Sequence, residues 1–489
     1  MDLICPGIVQ SGSEGRSAVY YRLKEDIDLR GWELLPYAAV DHKKGNVNFF
    51  DKETFDALLL CEGKIDLDLP MIPQRVRDKV AKLAEQNIVE PCKSGDSISD
   101  SQKYRRYDNR FMRSVQWSVT GCCNCKCRHC YINGADNRYG EISHEDAMKI
   151  ARELGECGVL TCSITGGEAL VRRDFWDIID CLLDGGIAIS QIYSNGLLVD
   201  AHVLDELDRR GIRPEFNMSF DGVGHHDWLR GIDGAEKAVR RAFELCMDRG
   251  FPTGAEMCLW KENYPSLRES INYLDSVGCH SIKLNPVGDT GAWHEGGYAK
   301  THGISTEECF RIYYDYLDAF YEDLPQMVVH LGGFFMADGR YPDVYRLPAI
   351  HKVKNPEKAC LCAHARGTMY ISAEGRALTC MPLSNMDAFQ QAYPKVQEIG
   401  VKECLKDSLY LKLINTRADK VIAHNNKCRE CEWRDVCLGG CRAAAMLSHP
   451  DDILAPDEST CKFFSDGWVE KITKRVHILR PQAECMELH

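Results

Sequence analysis

The chain of 489 residues has no long apolar run. Its longest, such as 57–61, falls far short of the roughly 20 residues that a membrane-spanning helix needs, so no contact with a membrane is expected. It has no excess of basic residues either. Lys and Arg number 60 against 73 Asp and Glu, a formal net charge of −13. That is the reverse of the basic footprint of a general nucleic-acid binder. The opening residues, MDLICPG, show no basic segment followed by an apolar stretch. No secretory signal is therefore expected, and a cytoplasmic location is. Neither a Ser-His-Asp arrangement nor a zinc-peptidase motif is present. Cysteine is what the chain has in plenty, 25 residues. A chain of this length builds its cores without disulfides. Clustered cysteines in such a setting read as metal ligands.

Cys123, Cys127 and Cys130 form C-x3-C-x2-C within CCNCKCRHCY. Iron–sulfur cubes normally take four thiolates, and three leave one iron open to chelate a small molecule. Zinc is the alternative for any cysteine cluster, but it favours paired C-x2-C knuckles with a distant second pair. Cys122 and Cys125 lie in the same loop, off this spacing. A second field lies downstream. Cys362 is separated from Gly375 by twelve residues, and Gly375 from Cys380 by four. Cys428, Cys431, Cys437 and Cys441 follow as C-x2-C-x5-C-x3-C, with Cys461 beyond. A run with that spacing arises by chance in roughly one chain in several hundred of this composition, which makes it the most specific signal here.

Residues 1–95 read as a separate unit. Strands are predicted at 18–23, 33–39 and 45–50, with Lys44-Gly45-Asn46 as a turn, then helices at 52–62 and 74–87. The Ser-rich stretch 96–112 reads as a linker. From 113 to 340 strands and helices alternate. The strands are predicted at 114–120, 160–165, 188–194, 215–220, 253–260 and 280–286. The helices fall at 143–155, 172–184, 200–210, 232–249 and 264–277. Such units imply a parallel α/β sheet. Residues 341–489 hold most of the remaining ordered cysteine spacings.

The fuller pattern C-N-x-x-C-x-H-C-Y, with Asn124, His129 and Tyr131, resembles the radical S-adenosylmethionine (SAM) superfamily. The six units resemble its partial (β/α)6 barrel, with the cysteine loop at the C-terminal mouth. The resemblance implies that Cys123, Cys127 and Cys130 hold a 4Fe-4S cluster and that Tyr131, Gly166, Gly167, Glu168, Ser194, Ser219 and Arg230 form the SAM site. Glu168 would meet the SAM amino group, and Arg230 its carboxylate unless it is a surface arginine. Ala169 stands where the family usually has proline. The second field resembles the SPASM domain, with two auxiliary 4Fe-4S clusters and so three in all. It implies Cys362, Cys380 and Cys441 for the first auxiliary cluster, with Cys360 as a candidate fourth ligand. Cys428, Cys431, Cys437 and Cys461 would hold the second. Two structural zincs are the alternative. Residues 1–95 resemble the winged-helix-like, PqqD-like domain that docks the leader of a precursor peptide.

The combination implies an anaerobic radical SAM/SPASM maturase of a ribosomally made peptide, served by an electron donor such as flavodoxin or ferredoxin. Hydrogen abstraction from a peptide Cα or Cβ would lead to a thioether with cysteine. Carbon–carbon crosslinking and epimerisation share the same first half. An anaerobic sulfatase maturase, forming formylglycine, is a rival, although its relatives carry aspartate where this chain has Met381. From another class, an iron–sulfur redox regulator that binds DNA would leave the Gly166-Gly167-Glu168 and Ser219-Phe220-Asp221-Gly222 elements without a job.

Overall fold

Short segments of alternating polarity, separated by helices with one apolar stripe, can bury themselves only as a sheet with helices over one face. The computed structural model describes residues 18–43 and 45–486. In it, six strands run parallel and in sequence order: β1 (Ser114–Ser118), β2 (Thr161–Thr165), β3 (Ala188–Ser194), β4 (Glu215–Ser219), β5 (Thr253–Leu259) and β6 (Ser281–Pro286). Helices His144–Glu156, Phe175–Asp184, Ala201–Arg209, Ala235–Asp248 and Leu267–Ser276 make the crossovers. All eleven fall where the sequence places them, within a few residues at each end. The first crossover helix shows why: Ser143 caps it by accepting from the Asp146 N–H, and it buries Ala147, Ile150, Ala151 and Leu154 at helical spacing.

The strands alternate. Val115, Trp117, Cys162, Ile164, Phe216, Met218, Ala255, Met257, Ile282 and Leu284 are buried. The residues between them are polar: Gln116, Ser163, Gln191, Tyr193, Glu215, Asn217, Glu256 and Lys283. Strand register sets Ser219, Glu256, Lys283 and His330 in one row across four neighbouring strands. This polar face carries the chemistry.

The sheet continues beyond both ends of this run. Thr368–Ile371 pairs parallel with β1, and Val328–Leu331 pairs parallel with β6. Phe335–Asp338 and Val344–Arg346 then add antiparallel. The cysteine-rich region is thus stitched into the same sheet, and residues 112–489 behave as one compact unit.

Residues 1–111 form the other unit. The opening residues and Lys44 of the expected turn lie outside the described residues. The strand expected at 33–39 is displaced: Ala38–Asp41 overlaps only its last two residues, and Ile27–Gly31, which the sequence did not suggest, precedes it. Between them the Trp32 N–H turns back onto the Leu35 carbonyl at 3.0 Å, and Pro36 has no N–H for a ladder. Asn46–Phe49 pairs with Ala38–Asp41 at the edge of this small sheet. Tyr20–Leu23 pairs antiparallel with Val89–Cys92, a strand the sequence did not suggest because Pro91 interrupts it. The helices are Lys52–Leu58 and Gln74–Glu85. They pack Phe55, Leu58, Val80 and Leu83 with Leu23 and Leu29. The stretch read as a linker runs along this unit. Gln102 donates to the carbonyls of Lys24 and Ile27, Tyr104 donates to that of Pro36, and Arg105–Arg106 joins Ile27–Gly31 as a short parallel strand.

Candidate functional site

The loop after β1 is held from several sides. The Cys123 N–H donates to the Gly134 carbonyl at 3.1 Å. The Lys126 and Arg128 N–H groups reach the carbonyls of Arg230 and Leu229, and that of Ala292 reaches Cys130. The loop after β2 crosses it so closely that a Cβ on Gly167 would sit 2.2 Å from the Cys122 carbonyl oxygen. Only glycine permits this approach.

The result is a cavity of about 180 Å³ lined by Cys123, Cys127 and Cys130. Tyr131, Gly166, Gly167, Ser194, Ser219 and Arg230 line it too, so six of the seven residues expected at a SAM site meet there. Glu168 is the exception. It is fully buried behind the cavity wall, where its carboxylate accepts from the Ser194 hydroxyl and from the Asn195 and Leu170 N–H groups. Burial raises its carboxyl group against those bonds. Its visible effect is to orient Ser194 and Asn195. The Asn195 amide in turn bonds the Asn124 side chain at 2.7 Å and faces the Cys123 sulfur at 3.8 Å.

The sulfurs differ in their surroundings. The Cys125 N–H faces the Cys123 sulfur at 3.4 Å, and that of Gly134 faces Cys130 at 3.3 Å. The Cys127 thiol is lowered to about 6, chiefly by a hydrogen bond from Cys125, with the Arg230 charge outweighing part of the opposing burial. Burial leaves Cys130 up at about 11. Among the described residues no fourth cysteine lines this cavity, and Cys122 and Cys125 do not reach it. Three thiols round a small cavity fit a four-iron cube with one open corner.

Arg230 is not a surface residue. It is 9% exposed, and its Nε donates to Asp221 at 2.7 Å while a terminal nitrogen faces the Cys127 sulfur at 3.7 Å. Burial opposes both charges, but each sustains the other. The Asp221 carboxyl is held well below its ordinary range, and the guanidinium is raised. His129, Asp221 and Cys258 bring three ligand atoms within 4.8 Å of one another, a shape that suits a small cation. Both Asp221 oxygens are already taken, by Arg230 and by the Cys258 N–H. In the sequence Asp221 stood out only as part of the Ser219-Phe220-Asp221-Gly222 element, and Cys258 fell outside both cysteine patterns.

Tyr193, Asn217 and Glu256 also line the cavity and were missed. The signal for Glu256 was present, as one carboxylate inside an otherwise apolar strand. Burial raises that carboxyl and the Lys283 charge opposes it. In the same row, His330 has no partner for its Nε2, and burial, then Lys283, lowers the imidazole to about 4. It is therefore neutral in the folded state. The stability tied to it is whole above the unfolded value near 6.5 and is lost as pH falls from there toward 4. The urea midpoint of unfolding should drop over that interval, and drop less in His330→Gln.

Two further cavities gather the eight cysteines of the second field. One, of about 420 Å³, is lined by Cys360, Cys362, Cys380, Cys437 and Cys441. The other, of about 400 Å³, is lined by Cys428, Cys431, Cys437 and Cys461. Each offers the four thiols that a closed cube needs. Leu438, Gly439 and Gly440 join the two with φ of 53°, 87° and 74°, three left-handed residues in succession. The glycine pair makes that turn possible.

Comparison with known proteins agrees with this geometry. Residues 117–274 match the Radical SAM superfamily. The Fe-coproporphyrin III synthase of Methanosarcina barkeri is 25% identical over 375 residues, which cover 73% of this chain and 91% of that protein. The PqqA peptide cyclase of Granulibacter bethesdensis is 24% identical over 343 residues, 69% of this chain and 84% of that one. SuiB of Streptococcus suis, solved bound to SAM, shares the fold with a TM-score of 0.60 at 17% identity, over 90% of this chain and all of that one. The chain is an enzyme with a radical SAM domain, and its fold is the α/β sheet with parallel strands of that superfamily. Among the described residues no helix is long and apolar enough to cross a membrane.

Proposed function

We propose that this enzyme matures a ribosomally made peptide, forming a thioether between a cysteine sulfur and a peptide carbon. The observation that carries the reading is the arrangement of sulfur: one cavity with three thiols and polar groups, and two more lined between them by eight thiols, with Cys437 facing both. A zinc pair does not require the first. Among relatives, one is named a peptide cyclase, and SuiB has been solved with a precursor peptide.

Cys123, Cys127 and Cys130 would hold the first four-iron cluster, which with bound SAM supplies a 5′-deoxyadenosyl radical. Cys360, Cys362, Cys380 and Cys441 would hold the first auxiliary cluster, and Cys428, Cys431, Cys437 and Cys461 the second. Around SAM, the bare backbone of Gly166 and Gly167 lets the ligand approach. Ser194 and Ser219 offer hydroxyls, and the Arg230 guanidinium, which lines the cavity, would offer its charge to a carboxylate. Glu168 acts through Ser194. The polar row from Ser219 to His330 would face the substrate, and flavodoxin or ferredoxin would supply electrons. Residues 1–111 would dock the leader, by pairing with an exposed sheet edge such as Asn46–Phe49.

Incubation with SAM and dithionite should yield 5′-deoxyadenosine. With the right precursor it should also yield a peptide lighter by two hydrogens and lacking one alkylatable thiol. A product with the thiol intact would be a carbon–carbon crosslink, and one of unchanged mass an epimer. Turnover of coproporphyrin in place of any peptide would move the enzyme toward its tetrapyrrole-modifying relatives and end the peptide reading. A chain of residues 112–489 should still make 5′-deoxyadenosine. Its peptide conversion should fall at least about tenfold, equivalent to roughly 1.4 kcal/mol of lost docking energy. Undiminished conversion by the shortened chain would contradict the docking role.

A further inference from the structure

Arg442 begins the helix that follows Cys441, and it is 7% exposed. Its guanidinium donates to the carbonyls of Ala455 at 2.6 Å, Ile453 at 3.3 Å and Gly440 at 3.4 Å, and to that of Gly439. Its Nε has no hydrogen-bond partner. All these acceptors are neutral. The nearby carboxylate, Asp457, spends its oxygens on the N–H groups of Cys441, Ser459 and Thr460 and on the Thr460 hydroxyl. Arginine stays charged in proteins, and a buried charge without an ion pair is costly. Asp457 acts on it only across space, and the other groups beside it that can carry negative charge are thiols. Arg442 lines the cavity of Cys360, Cys362, Cys380 and Cys441. Gly439, whose carbonyl it grips, lines that of Cys428, Cys431, Cys437 and Cys461.

We propose that Arg442 is the buried countercharge of both cysteine-lined cavities and raises the reduction potentials of the clusters they hold. This rests on the auxiliary-cluster reading. A cube with four thiolates is anionic and gains one more negative charge on reduction, so a fixed cation nearby favours the reduced form. The competing role is a mechanical brace, tying the Gly439–Gly440 turn to Ala455.

The test uses the full chain, reconstituted anaerobically with iron and sulfide. Iron per chain is measured, and then each cluster is titrated with EPR detection. Arg442→Gln keeps hydrogen-bond donors and drops the charge. It should hold wild-type iron while at least one auxiliary midpoint falls by about 59 mV or more, a tenfold change in a one-electron equilibrium. Arg442→Lys should fall by less. Loss of auxiliary iron in the glutamine variant alone would also support the charge. Unshifted midpoints at full iron would overturn the proposal, as would equal loss of iron in both variants, which is the behaviour of a brace. Wild-type enzyme with only about four irons would instead end the auxiliary-cluster reading, and this proposal with it.

Discussion

Cys127→Ala should abolish formation of 5′-deoxyadenosine, by at least about a thousandfold or roughly 4 kcal/mol of barrier, and on the proposed three-cluster reading should lower bound iron from about twelve to about eight per chain. The cause is local. Cys127 is the middle of three thiols round the small cavity, and its sulfur faces both Arg230 and the Cys125 hydrogen bond. No spare thiol lines that cavity among the described residues, so alanine leaves two ligands for the cube. The other eight cysteines lie in cavities of their own and should keep their iron. Cys122→Ser, one residue before the motif, should retain both iron and cleavage. Iron analysis and chromatography of the nucleoside check both variants. Cleavage that survived in Cys127→Ala would remove the first cluster from its assigned place.

Asp221→Ala has the second large effect, and it acts on the fold as much as on the reaction. Asp221 and Arg230 form a pair buried beneath the cavity, and removing one partner strands the other charge. Such a loss costs about 3–5 kcal/mol. The freed guanidinium also loses the anchor that aims its other edge at Cys127, so SAM cleavage should fall with stability. Urea unfolding measures the first and nucleoside yield the second. The double variant Asp221→Ala with Arg230→Met should regain part of the stability and none of the cleavage. pH supplies an independent check. The folded carboxyl is held below its unfolded value near 3.9. Its stabilisation is therefore whole above that value and is lost only as pH falls below it. From pH 8 to 5 this group should contribute no slope, and the variant should lack its share of the acid limb. Equal stability of wild type and Asp221→Ala at pH 7 would mean that the pair is not buried as described.

Legibility in the sequence followed the range of the interactions involved. Five crossover helices and six parallel strands were readable because their signals repeat every two or 3.6 residues and are capped locally, as Ser143 caps the first helix. The N-terminal unit was read less well. There Pro36 and Pro91 break the patterns of segments whose pairing depends on partners far along the chain. Cysteine spacing singled out Cys123, Cys127 and Cys130, which share one loop and one cavity, but the division of the downstream thiols came from the resemblance to the SPASM domain: Cys441 belongs to the same spaced run as Cys428 and Cys431 and yet lines the cavity of Cys362 and Cys380. Cys360 shows the limit. Its place beside Cys441 depends on the path of some eighty intervening residues, and the C-x-C spacing, tighter than expected for ligands of one cube, argued against it.

Polar contacts across strands had no such signature. Glu168 turns out to brace Ser194 and Asn195, because β2 and β3 end side by side. Glu256 and His330 share a row with Ser219 only through strand register. Arg230 finds Asp221 through the helix that folds it back over the end of β4, and Arg442 meets two sets of thiols through a turn of three left-handed residues. Amino-acid order dictated the chemistry available, namely which thiols sit close enough to share a cube and which face of each element is apolar, because both are short-range and periodic. Which charges are buried, which are paired and which look into a cavity was settled by packing, because desolvation depends on every neighbour that closes over a group and not on its neighbours in the chain.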